Sequence, residues 1–435
     1  MKNTKDSAII AVETAPPPPL VSIPLHQHCG SPARPCVSVH DRVAMGQIIG
    51  TAQDPYSAPV HASVSGTVTA IERFAFSPCP DAFSVTIEND GRDEFASPIP
   101  YDKPLNESGP LELQKKTALS GIVDLGGVPL HTLLENARKN RVDTLILNGL
   151  VTEPFLHAEE SLMLARTETI LMGAAICMQI TGAARCMVVI NEKRSDITAA
   201  FSPYVQCERF SKFSLFPVKP RYPHQHARLI ARDVSKTGLA PADPASNSRE
   251  VVVSVEAAAA LHDALAELRP CYERVVTVAG PAVRSPKNMR VRIGTPAKTL
   301  LAACSTDFDG IQKLVAGGPL SGDALQDFST PVVKSTNALL AFTAAYPTLS
   351  HESCIKCRRC TSVCPVHLEP GRLIARIQNR EIRAARERHL RECIECGCCS
   401  YICPSHINLV HWLRFGKTLL DRAEIKNARG LKAAA

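Results

Sequence analysis

The sequence predicts a multidomain protein of mixed α/β and α+β class, and three observations predict it. A length of 435 residues with 45% apolar side chains supplies several cores, roughly three domains by length alone. Short strand signals near the N-terminus give way to alternating strand and helix patterns, the order expected of a parallel, doubly wound unit. Near the C-terminus one cysteine pattern occurs twice: Cys354, Cys357, Cys360 and Cys364-Pro365, then Cys393, Cys396, Cys399 and Cys403-Pro404.

Residues 1–19 read as a disordered leader that ends in a polyproline spacer, Pro16 to Pro19. A first domain is expected over 20–100. Strand signals there are Pro35 to Val39, Gly46 to Gly50 and Ala58 to Glu72, the last read as a hairpin turning at Ser65-Gly66 because Val60, Ala62 and Val64 alternate. A second domain, 101–245, carries a helix over Leu130 to Lys139, a buried strand over Val142 to Leu147, a helix over Glu159 to Thr181 and a strand over Met187 to Ile190. Tyr204 to Pro244 is rich in Pro, His and Arg and reads as irregular. A third domain, 246–335, is α+β: a helix over Ala257 to Leu268, strands over Arg274 to Ala279 and Met289 to Ile293, and a helix opening at Thr295-Pro296-Ala297. The cysteine domain spans 336–415. Its two runs are joined by an arginine-rich helix, Arg372 to Glu392, which is a solvated face or a docking surface for an acidic carrier. A basic amphipathic tail follows over 416–435.

Composition excludes some function classes. The net charge is a modest +7 with only 5% aromatics, and basic residues are not interleaved with aromatics, so no nucleic-acid partner is expected. Met1 to Val12 is polar and lacks the apolar core of a signal peptide. The longest apolar stretch, Leu171 to Ile190, is interrupted by Gln179, Thr181 and Arg185. A spanning helix needs about 20 predominantly apolar residues, so no membrane span is expected.

The doubled run carries the chemistry. Its spacing is that of two-cluster bacterial ferredoxins, in which the fourth cysteine of each run ligates the other run's cluster. Cys354, Cys357, Cys360 and Cys403 would then hold one [4Fe–4S] cluster, and Cys393, Cys396, Cys399 and Cys364 the other. Thiolates also select zinc, but zinc sites favour two separated Cys-x-x-Cys pairs closing a tetrahedron. Cys398 lies between ligand positions and reads as a spare thiol. The chemistry is one-electron transfer in a reducing compartment, with no residue acting as general acid, base or nucleophile.

With these motifs assembled, the chain resembles the C subunit of the Rnf ion-translocating electron transport complex. The resemblance covers roughly residues 20 to 415 and rests on His28-Cys29-Gly30-Ser31-Pro32-Ala33, Ala58-Pro59-Val60-His61-Ala62, Arg274 to Gly280, Arg290 to Pro296, Gly317-Gly318-Pro319 and Cys393-Ile394-Glu395-Cys396-Gly397-Cys398-Cys399. It implies a barrel-sandwich domain, an α/β domain like the flavin subunit of respiratory complex I, a β-grasp (SLBB) domain and a helical two-cluster ferredoxin. The first of these is lipoyl-like, but no lysine lies between Lys5 and Lys103, which excludes a swinging-arm attachment. The resemblance also implies a peripheral location on the cytoplasmic face of the bacterial membrane. Its partners would be the membrane-embedded subunits and a soluble carrier: NAD(H) through FMN, or a ferredoxin or flavodoxin where FMN is lost.

The flavin loop departs from the family's Gly-Gly-Ala-Gly-Phe-Pro-Thr. Here it is Gly126-Gly127-Val128-Pro129-Leu130-His131-Thr132, with Glu135 where a lysine is expected. Pro129 removes a backbone donor and Glu135 reverses a charge, and both disfavour an anionic FMN phosphate. The matching positions for FMN and NAD(H) are Gly126, Gly127, Thr132, Asn148 and Glu153, with Val151 replacing a family glutamate. Two other readings fit parts of the chain: a soluble reductase like the cobalamin reductase of microcompartments, and a non-catalytic, metal-stabilised assembly scaffold.

Overall fold

A computed structural model describes residues 11–73, 82–96, 105–236, 249–344 and 351–433. They divide into two compact units. One takes residues up to Gly318 together with Asp323–Thr343, and the other takes Pro319–Gly322 together with the chain from Ala344.

The leader is not wholly unstructured: β1 (Val12–Thr14) pairs in parallel with β14 (Lys287–Arg292), and Lys287 Nζ meets the Glu13 carboxylate at 2.8 Å. Residues 1–10 lie outside the described residues. The first domain is built on two small antiparallel sheets. One has the order β2 (Leu20–Pro24), β8 (Phe83–Asn89), β7 (Gly66–Arg73), β4 (Arg42–Val43). The other is β3 (Arg34–Pro35), β5 (Ile48–Thr51), β6 (Val60–His61). Val21, Ile23, Ile49, Val60, Ala62, Val64, Val68 and Ile87 fill the space between them. The expected hairpin is therefore corrected, because β6 pairs with β5 while β7 pairs with β8 and β4. Val60, Ala62 and Val64 do face the core, but His61 and Ser63 are buried as well, with Ser63 Oγ donating to the Ile293 carbonyl. A segment buried on both sides crosses from one sheet to the other, where a hairpin would fold back.

The α/β domain holds a four-stranded, all-parallel sheet in the order β11 (Phe213–Val218), β10 (Arg185–Asn191), β9 (Thr144–Asn148), β12 (Glu250–Ser254). One face is covered by α1 (Pro110–Ser120), α2 (Leu130–Lys139), α3 (Ala158–Ala165), α4 (Thr167–Thr181), α5 (Ser195–Val205) and α7 (Val255–Ala266). Ile230 and Val234 of α6 (Ala227–Lys236) cover the other. The sheet takes in β12, and α7 packs on α4, so this domain runs past the expected boundary at 245/246. The stretch after Tyr204 contains β11 and α6 rather than irregular chain. Pro217 obscures the strand pattern, and β11 is an edge strand, where proline is tolerated.

The helix expected over Glu159 to Thr181 is two helices meeting at 96°. The chain breaks at Arg166 (φ −138°), whose guanidinium forms a two-pronged pair with Asp263 of α7, one arm at 2.7 Å. Their inward side chains, among them Leu162, Met163, Ile170, Leu171 and Ala174, belong to the domain core. Among the described residues no single helix is long and apolar enough to cross a membrane.

The third sheet has six strands in the order β1, β14, β13 (Glu273–Ala279), β17 (Ala338–Phe342), β15 (Lys313–Ala316), β16 (Asp323–Leu325). Its central pair, β13 and β17, is parallel, and Leu300 and Leu301 of α8 (Ala297–Ala303) join its core. It keeps β17, so the expected boundary at 335/336 lies inside the sheet. Lys334 pins this sheet to the other two domains. It is fully buried, and its Nζ donates to the Pro59 carbonyl at 2.8 Å and the Gly121 carbonyl at 2.6 Å.

The C-terminal unit holds α9 (Arg359–Ser362), α10 (Pro370–Gln378), α11 (Ile382–Glu387), α12 (Cys398–Tyr401) and α13 (Leu409–Ala433) around Leu373, Ile377, Leu390, Leu413 and Leu420. The expected helix over Arg372 to Glu392 breaks after Gln378, where Arg380 takes φ 59°. Arg372 and Arg388 both reach Glu369, Arg376 reaches Glu381 and Arg391 reaches Asp421, so much of the arginine charge is paired. The tail at 416 is not a separate segment, since α13 runs through it.

Gly173 of α4 marks the closest helix approach in the α/β core: a Cβ there would lie 1.8 Å from the Ala258 carbonyl oxygen of α7. Gly173→Ala is expected to cost about 1–3 kcal/mol or more, because neither backbone can retreat. Denaturant unfolding followed by far-UV circular dichroism measures it, and an unchanged midpoint contradicts the packing described.

Candidate cluster sites and the flavin-like loop

The two cysteine runs share one backbone fold at an offset of 39 residues. Left-handed φ values occur at Lys356, Arg358 and His367 (57°, 61°, 57°) and at Glu395, Gly397 and His406 (55°, 73°, 51°). The offset also carries α9 onto α12 and the start of α10 onto the start of α13. Non-glycine residues avoid this region at a cost of roughly 1–2 kcal/mol each. They adopt it here because three cysteines within seven residues face one centre only if the chain turns back sharply between them. The following Cys-Pro then leads out towards the next helix.

Two cavities divide the sulfurs between them. The first, about 1060 Å³, is lined by Cys354, Cys357, Cys360 and Cys403, with Ile374, His411 and Trp412 among its walls. The second, far smaller, is lined by Cys364, Cys393, Cys396 and Cys399, together with Cys398. Each cavity thus gathers three cysteines of one run and the fourth of the other. Tetrahedral zinc with Zn–S near 2.3 Å would place thiolates about 3.8 Å apart. Among the described residues, only His262, Asp263 and Glu267 form a group of three ligand atoms within 4.8 Å of one another. Among the described residues no three cysteine sulfurs come within 4.8 Å of one another, as they would around one tetrahedral zinc. The His262 group is no rival, because Asp263 is already paired with Arg166.

Burial pushes the Cys393 thiol up to about 11, against the pull of the Glu395 N–H and Lys417, and pushes Cys399 up to about 12. Thiolates would be stable there only beside a strong positive charge, of the kind that the iron of a cluster would supply. Cys398 is hydrogen-bonded to Cys396, which lowers the Cys398 pKa. Backbone N–H groups of Leu368 and Glu395 point at Cys364 Sγ (3.3 Å) and Cys393 Sγ (3.4 Å). The second run is braced: Arg414 Nε and Lys417 Nζ hold the Glu395 carboxylate at 3.0 and 2.6 Å. Leu320 also lies over Gly397, where a Cβ would sit 2.3 Å from its carbonyl oxygen. Cys354 and Cys357 of the first run are exposed.

The flavin-loop positions are distributed differently. Gly126, Gly127 and Thr132 lie at the N-terminus of α2. Asn148 and Glu153 lie at the C-terminal end of β9, the edge of a parallel sheet where ligands bind. Thr132 Oγ1 donates to the Pro55 carbonyl, and Asn148 Nδ2 donates to that of Gln225. Glu153 is buried, with its carboxylate against Gly318 and accepting from Gln225 Nε2 at 3.3 Å. Sequence reasoning missed Asp124, whose carboxylate accepts from the N–H groups of Gly126 and Val128. An aspartate just ahead of a Gly-Gly pair is the signal that would have found it.

Residues 1–92 match a family model described as the RnfC barrel sandwich hybrid domain, 118–263 the Nuo51 FMN-binding domain, and 346–404 a 4Fe-4S dicluster domain. Among curated proteins the chain is similar to the C subunit of the ion-translocating oxidoreductase complex of Rhodobacter capsulatus. The two are 34% identical over 86% of this chain and 73% of that protein. It is also similar to the C subunit of the Na(+)-translocating ferredoxin:NAD(+) oxidoreductase complex of Acetobacterium woodii, at 31% identity over 81% and 80%. The chain belongs to this C-subunit family. Its membership brings the expected barrel-sandwich and flavin-subunit-like domains and the iron–sulfur domain together in one chain. The Nuo51 match runs through β12 and α7, in agreement with the sheet. The fold also resembles an NAD+-reducing [NiFe]-hydrogenase structure, with a TM-score of 0.51 and 16% identity over 74% of this chain and 67% of that one.

Gly397→Ala is expected to displace Leu320 and lower cluster content at the second site, whereas Arg358→Gly at the equivalent position relieves a strained φ. Stability is expected to fall by about 1–2 kcal/mol or more in the first variant and to stay level or rise by up to about 1 kcal/mol in the second. Iron analysis and anaerobic denaturation measure both.

Proposed function

We propose that this chain is the peripheral electron-transfer subunit of a membrane-bound, ion-translocating oxidoreductase, and that it works on the cytoplasmic face. Electrons pass through two [4Fe–4S] clusters between a soluble carrier and the membrane-embedded subunits. A cubane bound at each site supplies one-electron exchange at low cost in rearrangement. The chain's own residues do the rest. Cys354, Cys357, Cys360 and Cys403 hold one cluster, and Cys393, Cys396, Cys399 and Cys364 the other. The N–H groups of Leu368 and Glu395 stabilise thiolate charge, which raises the potential of the second cluster. Crossed ligation ties the two runs into one rigid body, so the clusters keep a fixed separation.

The observation that carries this reading is the partition of eight cysteines between two cavities, three from one run and one from the other in each. The family's other members, named as parts of ion-translocating complexes, support the role of partner subunits. We read the six-stranded sheet, with its parallel central pair and packed α8, as the β-grasp domain. A cobalamin-reductase-like protein fits less well, because a barrel-sandwich domain precedes the α/β domain. A zinc scaffold fits less well because of the sulfur spacing.

Paired substitutions test the ligand sets. Cys354→Ala with Cys403→Ala removes two ligands of one cluster, so anaerobically purified protein is expected to keep about four of about eight irons. Cys354→Ala with Cys364→Ala strikes both clusters and is expected to lose nearly all. The reverse pattern establishes uncrossed ligation.

A further inference from the structure

The family match implies FMN in the α/β domain, and the loop that would hold its phosphate can be tested donor by donor. A phosphate cradle at a glycine loop needs free backbone N–H groups converging on one point, helped by a helix N-terminus or a cation. In this chain the donors of the loop itself, from Gly126 to Leu130, are spent. The N–H of Gly126 goes to the Asp124 carboxylate, that of Gly127 to the Asp124 carbonyl at 3.0 Å, and that of Val128 to Asp124 Oδ1 at 2.8 Å. Pro129 has no N–H. The N–H of Leu130 goes to the Ile122 carbonyl at 2.9 Å. A carboxyl group of the chain therefore already takes the loop's donors, with burial pushing its pKa up against those N–H groups.

The nearby side chains add little attraction for a second anion. Glu135, one turn along α2 where the family carries a lysine, is paired with Lys139 at 2.7 Å and lies in the field of Arg138. Burial pushes the His131 ring down, favouring its neutral form. Lys334 has its ammonium donating to two carbonyls and is fully buried. The glycine loop is also tied to the first domain, since the Cys29 N–H donates to the Gly127 carbonyl at 2.7 Å. The residues present do not fit FMN.

We propose that Asp124 occupies the place of the flavin phosphate, that this α/β domain carries no FMN, and that the clusters exchange electrons with one-electron carrier proteins rather than with NAD(H). The last step rests on the relay reading above and follows from electron balance. NADH gives up two electrons together as a hydride, while each cluster accepts one, and a flavin is the group that divides the pair. A one-electron carrier needs no such divider: its single electron reduces one cluster and the carrier is oxidised by one.

The full-length protein, purified anaerobically with its irons counted, decides the matter. No flavin is expected in the acid extract, and FMN titrated by fluorescence quenching is expected not to saturate at about 100 µM. Reduced methyl viologen should bleach the cluster absorption, while NADH should leave it unchanged. Stoichiometric FMN, a Kd below about 10 µM, or bleaching by NADH alone overturns the inference while leaving the relay intact. Loss of the irons themselves would sink the relay reading instead. The variant Asp124→Gly/Pro129→Gly/Glu135→Lys is expected to bind FMN at least tenfold more tightly than the natural sequence. Unchanged affinity in a variant that keeps its irons and melting temperature overturns the role given to Asp124.

Discussion

The geometry of cubane ligation governs the C-terminal unit. Three sulfurs from seven consecutive residues must reach three corners of one cube, and the fourth must come from elsewhere. The chain meets that demand with paired left-handed residues, Lys356 and Arg358 in one run and Glu395 and Gly397 in the other. Only one of the four is glycine, so backbone strain is stored at the site and must be offset. The apolar core available is small, built on Leu373, Ile377, Leu390, Leu413 and a few neighbours. In a domain of this size, metal–thiolate bonds supply folding free energy as well as redox chemistry. The helices α10 and α13, whose starts are equivalent under the 39-residue offset, close that core between the two runs.

The two sites are not equal copies. Around the second run Glu395 is held by Arg414 and Lys417, and Leu320 covers Gly397. Around the first, Cys354 and Cys357 are exposed, as is Ile355 between them. Burial and N–H donors act on a cluster's potential in opposite senses, and both are found at the second site, while the first keeps two exposed cysteines.

Legibility in the sequence followed the kind of constraint involved. The cysteine runs were legible as an iron–sulfur domain because ligation demands fixed residue types at fixed spacings. Helix α2 was legible because one face of it is steadily apolar, and strand β10 because it is an unbroken apolar run buried on both faces. The crossing strand near Val60 was not, since alternation reports burial of one face and is silent about which partner pairs. Pro217 hid β11, because whether proline is tolerated depends on edge position, a tertiary property. The break at Arg166 depends on Asp263, nearly a hundred residues away. The departure of the glycine loop from the family's motif was visible at Pro129 and Glu135. Asp124, whose carboxylate accepts from the Val128 N–H, was overlooked because it lies outside the Gly-Gly motif, although its place ahead of the glycines is itself a turn signal.

Electron paramagnetic resonance of the dithionite-reduced protein tests the central claim most directly. Two reduced cubanes fixed near each other by crossed ligation should integrate to about two spins per chain, with spectra broadened by their mutual coupling. A protein that stays silent on reduction and carries zinc, or one with a single uncoupled signal, contradicts the account.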